Sequence, residues 1–113
     1  MNTYRTHYCS DLSIQNLDQD VVLSGWIDTM RDHGNLLFID LRDNYGITQC
    51  VVDSSNQNFE QINALNHETV IKITGKVLKR SSDTINTSLK TGEIEIVIKA
   101  FEILSKSVEK QKS

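Results

Sequence analysis

Apolar and polar residues alternate along five stretches of the 113-residue chain, and this alternation is typical of β-strands with one buried face. It is clearest in residues 36–42, where Leu37, Ile39 and Leu41 share one face. Segments rich in Asp, Asn and Gly join the first three stretches and indicate tight turns. The strands predicted in this way are residues 21–30, 36–42, 47–53, 69–79 and 93–100.

Short helical segments are predicted at two places in the chain. In residues 1–20, Ser10 or Asp11 can cap a brief helix that ends at Leu17. After the third strand, Asn58 can cap a second helix whose apolar residues fall on one side. The N-terminal segment is expected to cover the edge of the sheet or one end of the barrel.

The order of these elements indicates an all-β fold. A five-stranded Greek-key barrel with a short helix between strands 3 and 4 is the OB-fold, whose sheet and loops bind oligonucleotides. We predict an OB-fold over residues 21–105, with residues 1–20 packed on the barrel as an N-terminal helical segment. The polar residues 106–113 have little to bury and are predicted to begin a linker.

Two side chains on the polar face of the predicted sheet are suited to contact a base. Phe38 stands beside Asp40 and Arg42, where a ring can stack on a base, or can pack under a loop as a satellite of the core. Gln49, in the next strand, offers a donor and an acceptor to a base edge. A plain cross-strand amide is an equally common role for such a residue.

The first strand is expected to be irregular near its end. Strict alternation points Arg31 inward, where an unpaired charge is very costly. We therefore expect a bulge or register shift between Gly25 and Arg31, which leaves Arg31 exposed.

The overall charge argues against binding of nucleic acid through bulk electrostatics. The chain has 12 Lys and Arg against 15 Asp and Glu, which gives a net charge of -3. Proteins that hold phosphates by charge are usually basic. Contacts with RNA are therefore expected to be local, through stacking, base-edge hydrogen bonds and a few placed cations.

Neither a metal site nor a membrane span is predicted. Cys9 and Cys50 lack the spacing of metal ligands, and the histidines, His7, His33 and His67, are isolated in sequence. No apolar run approaches the roughly 18 residues that a span requires. The chain shows no glycine-rich phosphate cradle and no nucleophile beside a base, so no catalytic residue is assigned. We expect a cytoplasmic protein with reduced thiols.

Residues 25–52 carry a specific resemblance, and they read GWIDTMRDHGNLLFIDLRDNYGITQCVV. This stretch resembles the N-terminal anticodon-binding domain of bacterial aspartyl-tRNA synthetases, whose pattern is close to GWV-x-x-x-RDHG-x-L-x-FIDLRD-x-x-G-x-x-Q-V. Flanking matches are THYC at 6–9, VIKITGKV at 70–77 and TGEIEI at 91–96. The resemblance extends from Tyr4 to about Ser105.

The resemblance implies roles for three residues in particular. Phe38 matches a phenylalanine that stacks on an anticodon base, and Gln49 matches a glutamine that hydrogen-bonds the central uridine. Glu95 matches a carboxylate that reads the first base, where an acceptor-only group suits the N–H edge of guanine.

Other matched positions surround these three. Arg31 matches an arginine of the anticodon site, and Arg80 and Asn86 match polar residues near the third base. His33 occupies a point that differs among members, and histidine there tends to accompany enzymes that also charge tRNA-Asn. Taken singly, the charged residues can also be solvated surface charges, and Asn86 can simply form a turn.

The chain departs from the family pattern before the RDHG motif. Thr29 and Met30 stand where the family usually has arginines, so at least one expected cation is missing. This departure weakens the case for phosphate contacts at this point.

The resemblance also implies a larger enzyme. It is a homodimeric class II synthetase that uses ATP and Mg2+ to attach aspartate to tRNA-Asp, and to tRNA-Asn in the non-discriminating type. The present residues then supply recognition without a cofactor of their own, beside a catalytic domain of the same chain. Two other classes stay open, a generic single-strand-binding OB module and a protein-interaction barrel with Phe38 buried.

Overall fold

Five strands close into a barrel in the computed structural model, which describes residues 5–82, 84–89 and 91–105. The elements in order are a 3-10 turn (Ile14–Asn16), β1 (Asp20–Asp32), β2 (Leu36–Arg42), β3 (Ile47–Asp53), α1 (Phe59–Asn63), β4 (Val70–Lys79) and β5 (Ile94–Ser105). The strands are ordered β1-β2-β3-β5-β4, and β3 pairs in parallel with β5. This arrangement confirms the predicted OB-fold and the helix between its third and fourth strands. The predicted linker, residues 106–113, lies outside the described residues.

Alternation along the strands separates the core from the outer face, as the sequence predicts. Leu37, Ile39 and Leu41 are fully buried inside the barrel. Gly25 and Gly75 occur where strands cross closely. A Cβ atom would lie 2.3 Å from the carbonyl oxygen of Arg42 at the first glycine and 2.4 Å from that of Val97 at the second. Any larger residue would force these strands apart.

The expected irregularity in β1 is present. The pairing of β1 with β2 shifts register between Ile27 and Thr29. The extra residue, Asp28, reverses the facing of the positions that follow. Arg31 is consequently exposed rather than buried in the core.

The N-terminal helix is shorter than predicted and begins at a different residue. It is a single 3-10 turn capped by Ser13, whose Oγ accepts the backbone N–H of Gln15 at 3.2 Å. Asp11 instead accepts the backbone N–H of Tyr8 at 2.8 Å, so it caps a different turn. The segment does contact the barrel, because Cys9 and Leu12 are buried in the common core.

Two details near α1 and β5 also differ from the sequence prediction. The Asn58 side chain makes no capping hydrogen bond, and its Nδ2 donates to the carbonyl of Lys99 at 3.4 Å. β5 extends to Ser105, and Ala100, predicted to face inward, is exposed. The pairing of β4 with β5 shifts register at Lys99, which reverses the facing and packs Phe101 against the core instead.

Both cysteines are buried, and both are free thiols. Burial raises the pKa of the Cys9 thiol far above its ordinary value, and the nearby Asp43 carboxylate raises it further. Burial likewise raises the pKa of Cys50, with added repulsion from Asp40 and Glu95. The two thiols therefore stay protonated at neutral pH.

Candidate nucleic-acid interface

A row of polar side chains crosses the outer face of the barrel. Thr29 of β1 lies opposite Asp40 of β2, and Asp40 lies opposite Gln49 of β3. Glu95 of β5 completes the row, because β3 and β5 run in parallel with Cys50 beside Ile96. Strand register thus brings together residues that are far apart in sequence.

Arg31 connects the members of this row through its guanidinium group. Its Nη1 lies 2.9 Å from Oδ2 of Asp40, and its Nη2 donates to Oε1 of Gln49 at 3.1 Å. Nε2 of Gln49 then donates to Oε1 of Glu95 at 3.1 Å. Because a guanidinium only donates and a carboxylate only accepts, one orientation of the Gln49 amide satisfies both neighbours.

Arg31 and Thr29 stabilise the charged form of Asp40. Burial raises the pKa of Asp40, but hydrogen bonds from Arg31 and Thr29 outweigh that effect, and the net pKa lies below its ordinary value. Gln49 is only 6% exposed, so its amide is held between charged partners rather than by water. The network is therefore ordered before any ligand arrives.

An aromatic surface borders the network. Phe38 is half-buried, and its ring meets the His33 ring edge-on at a centroid distance of 5.1 Å. Phe38 also lines a cleft of about 320 Å³. The walls of the cleft are formed by Leu36, Phe38, Val51, Asp53, Ser81, Thr84, Glu95 and Val97. The cleft thus combines apolar walls with the carboxylate of Glu95, a shape that can accept a flat ring.

Arg80 is buried, which overturns its interpretation as a solvated surface charge. Its Nε donates to the carbonyl of Ile94 at 2.9 Å, and its Nη1 donates to that of Thr84 at 3.0 Å. Its Nη2 is buried and has no hydrogen-bond partner among the described residues. Burial lowers the pKa of Arg80, and the carboxylates of Glu95 and Asp40 act against that shift. Arg80 thereby fastens the β4–β5 loop beside the cleft.

Asn86 forms a local turn in the same loop. Its Oδ1 accepts the backbone N–H of Ser88 at 3.0 Å and the Ser88 hydroxyl at 2.6 Å. Its side chain is exposed, and no contact among the described residues joins it to the polar row. A role for Asn86 in binding therefore stays a prediction.

Two members of the network, Asp40 and Thr29, have no role that was predicted from the sequence. Asp40 was placed on the correct face, and Thr29 was noted only as a departure from the family pattern. Thr29 donates its hydroxyl to Oδ2 of Asp40 at 2.6 Å and accepts from Nη1 of Arg31 at 3.2 Å. The register of β1 against β2 was the signal that could have paired them.

The described part of the chain has neither a cluster of metal ligands nor a helix suited to cross a membrane. The described residues contain no group of three or more His, Cys, Asp and Glu residues placed to hold a metal ion. They also contain no helix with the length and apolar character needed to span a membrane.

This chain is similar in sequence to a family of nucleic acid binding domains and to individual ligases of tRNA. Residues 21–104 match the tRNA-anticodon model described as an OB-fold nucleic acid binding domain. An aspartate-tRNA(Asp/Asn) ligase of Pelagibacter ubique (strain HTCC1062) is 64% identical over 104 residues, which are 92% of this chain and 18% of that protein. The chain thus spans less than a fifth of this relative.

Solved structures share the fold at lower identity. Asparaginyl-tRNA synthetase from Pyrococcus horikoshii, complexed with asparaginyl-adenylate, has a TM-score of 0.75 and 24% identity over 91% of this chain and 23% of that one. Aspartyl tRNA synthetase from Entamoeba histolytica has a TM-score of 0.78 and 21% identity over 95% and 23%. The polar row and the adjoining cleft together form one groove on the outer face of the barrel. The fold, this groove and the matching family model together establish that this chain belongs to the tRNA-anticodon family of OB-fold nucleic acid binding domains.

Proposed function

We propose that this chain reads the anticodon of a tRNA as the N-terminal domain of an aspartyl-tRNA synthetase. The observation that carries the proposal is the Gln49 amide, held between Arg31 and Glu95 and placed on the same outer face as the Phe38 ring. Stacking surfaces next to oriented donors and acceptors are how proteins recognise unstacked bases of single-stranded RNA.

The Gln49 side chain has one acceptor lone pair and one donor hydrogen left for a ligand. Gln49 uses one lone pair of Oε1 toward Arg31 and one hydrogen of Nε2 toward Glu95. A carbonyl has a second lone pair and an amide nitrogen a second hydrogen, so a base with adjacent N–H and C=O groups can bind without displacing either neighbour. Uracil has that edge.

Glu95 and Phe38 complete the proposed reading of the anticodon. The carboxylate of Glu95 accepts only, so it favours the two N–H donors of guanine at the first anticodon position. Phe38 supplies a face for stacking, worth about 1 to 3 kcal/mol per base. His33 meets this ring edge-on and is suited to contact a neighbouring nucleotide. Asn86 is proposed to act at the third base. Arg80 is proposed to act there by holding the β4–β5 loop, because its side chain is buried.

The net charge of -3 sets an expectation for affinity. With few cations to release counterions from phosphates, most of the free energy of binding is expected to come from stacking and hydrogen bonds. The domain alone is therefore expected to bind weakly. The catalytic domain of the same chain then supplies further contacts to the tRNA.

For the longer protein we propose ATP-dependent attachment of aspartate to tRNA-Asp, and also to tRNA-Asn. The second substrate is supported by the names of the curated relatives, which are ligases for both tRNAs. ATP and Mg2+ are assigned to the catalytic domain of this longer protein, as the resemblance to class II synthetases implies. A cytoplasmic homodimer is part of this proposal.

The experiment is a titration of this domain, at low and stated salt, with anticodon stem-loops carrying GUC, GUU or a scrambled triplet. Preference for GUC over the scrambled triplet, lost in Phe38→Ala, is the expected result. Similar affinity for GUC and GUU is expected if both tRNAs are substrates. The scrambled triplet also separates the other function classes.

Equal binding of all three stem-loops would replace the proposal with a generic single-strand-binding module. Absence of binding by this domain, together with a full-length enzyme whose charging of tRNA is unaffected by Phe38→Ala, would favour a protein-interaction barrel.

A further inference from the structure

Arg31 is linked to two carboxylates, to one directly and to the other through an amide. It forms an ion pair with Asp40 at 2.9 Å, and through the Gln49 amide it is one residue away from Glu95. Arginine pairs readily with either carboxylate, since its planar donors match both oxygens. Which of the two it selects decides what the groove presents to a ligand.

Asp40 is better placed to hold the guanidinium. Its Oδ2 lies 2.9 Å and its Oδ1 3.4 Å from the two terminal nitrogens of Arg31. Thr29 closes a triangle with this pair, because its hydroxyl donates to Asp40 and accepts from Arg31. Glu95 accepts a hydrogen bond from Gln49 and lines the same cleft as Phe38.

We propose that Asp40, supported by Thr29, is a positioning residue that keeps Arg31 away from Glu95. The Glu95 carboxylate then stays open to a base, and Arg31 orients the carbonyl of Gln49. This inference rests on the proposed function, because it concerns which bases the groove accepts.

Loss of the Asp40 charge sends Arg31 to the remaining carboxylate. The ion pair that forms covers the acceptor of Glu95 and removes the donor that orients Gln49. Two base positions are then read poorly. A guanine loses its acceptor, and a uracil loses its advantage over cytosine, whose donor and acceptor at the same edge are exchanged.

The binding test compares Asp40→Asn with Asp28→Asn. Asp28 pairs with Arg42 across the same two strands at 3.2 Å, so both variants remove one outer-face carboxylate beside an arginine. Each is titrated by fluorescence anisotropy, at the same salt concentration, with stem-loops carrying GUC, AUC or GCC. AUC changes the first base and GCC the central one.

Asp40→Asn is expected to bind GUC about tenfold more weakly and to lose most preference over AUC and GCC. Asp28→Asn is expected to keep both preferences and to bind GUC as well as the unmodified domain, or slightly better, since a negative charge has gone. A purely electrostatic role of Asp40 predicts strengthened binding in both variants. Retained preferences in Asp40→Asn would overturn the proposal.

A second measurement, on the domain without RNA, separates this inference from the proposed function. The side-chain amide signals of Gln49, identified by their loss in Gln49→Glu, are followed by 1H–15N NMR. They are expected to move in Asp40→Asn and to stay in place in Asp28→Asn. If Asp40→Asn fails to fold, Thr29→Val is expected to move them in the same direction by a smaller amount.

The outcomes are distinct. A domain that binds all triplets equally contradicts the proposed function, and the Gln49 signals then still decide whether Asp40 positions Arg31. Signals that stay in place in both Asp40→Asn and Thr29→Val overturn the inference, whatever the RNA binding.

Discussion

Two Arg–Asp pairs bridge β1 and β2 on the outer face of the barrel, and their surroundings differ. Arg31 and Asp40 are 2.9 Å apart, and Arg42 and Asp28 are 3.2 Å apart. The arginines are almost equally exposed, at 43% and 41%. The first pair continues into Gln49, whereas the second has no further hydrogen bond among the described residues. An Arg–Asp pair on this face can therefore orient another side chain only where a further hydrogen-bonding residue lies beside it.

Aromatic rings extend the contrast between the two ends of this face. Near Arg31, the ring of Phe38 lines the cleft and contacts the ring of His33. Beyond Arg42, Tyr8 packs on Tyr45 of the β2–β3 turn at a centroid distance of 4.3 Å. That second pair fastens the N-terminal segment to the barrel. The end around Arg31 and Phe38 thus carries the proposed binding site and is called the ligand end. The end around Tyr8 and Tyr45 joins the N-terminal segment to the barrel and is called the fastening end.

The largest expected effect concerns stability, at the fastening end. Asp43 is buried and accepts the backbone N–H groups of Cys9, Tyr45 and Gly46 at 2.8, 2.8 and 3.1 Å. Asp43→Ala leaves these donors without their acceptor and should lower the free energy of unfolding by about 3 kcal/mol. Urea unfolding measures it.

The control for Asp43→Ala is Asp53→Ala, which removes an exposed carboxylate that accepts the backbone N–H of Ser55. Asp53→Ala should lower the free energy of unfolding by clearly less than Asp43→Ala does. Equal losses in the two variants would show that the fastening end is not held by Asp43.

The next effect concerns binding, at the ligand end. Phe38→Ala should weaken binding of the GUC stem-loop by about 1 to 3 kcal/mol, because a base loses its stacking surface. Tyr45→Ala removes a ring that is 62% exposed at the other end and should leave this affinity nearly unchanged. Anisotropy titrations of both variants test the contrast, which fails if Tyr45→Ala costs as much.

A smaller effect is expected with pH. The pKa of Asp40 is lower in the folded protein than in the unfolded chain, so its contribution to stability is complete above about pH 4 and is lost as the pH falls through the folded pKa. Asp40→Asn should therefore reduce the slope of stability against pH below about pH 4 and leave it unchanged between about pH 5 and 7. Urea unfolding over this range measures the slopes, and parallel curves would contradict the assignment.

The smallest effect belongs to the isolated pair. Arg42→Gln should change the free energy of unfolding by no more than about 0.5 kcal/mol, since exposed ion pairs contribute little. It should also leave the ratio of GUC to GUU affinity unchanged. A shift of that ratio would extend the reading surface to the fastening end.

Strand positions were predictable from the sequence where alternation is uninterrupted. β2 and β3 begin and end at the predicted residues, because one face of each strand packs into the core. β5 was mispredicted after Ile98, because its register shift at Lys99 depends on pairing with β4. The cap at Ser13 likewise depends on how the N-terminal segment settles on the barrel, which local preference does not determine.

The candidate site was predictable only in part, for a related reason. Arg31, Gln49 and Glu95 were grouped from the sequence resemblance, and the structure joins them by hydrogen bonds. The contribution of Asp40 follows from register, since two pairings across β2 place it between Thr29 and Gln49. Burial of Arg80 depends on the backbone carbonyls of Thr84 in the β4–β5 loop and of Ile94 at the start of β5, which no side-chain pattern reveals.

The two buried thiols give the molecule an internal reporter of its own opening. Cys9 lies in the N-terminal segment and Cys50 in β3, and at neutral pH neither is expected to react with an alkylating reagent while it stays enclosed. The rate of alkylation at each thiol then counts openings of the part that covers it. If the segment detaches before the barrel unfolds, Cys9 is modified first, and mass spectrometry of the modified peptides reads the order of events without any added label.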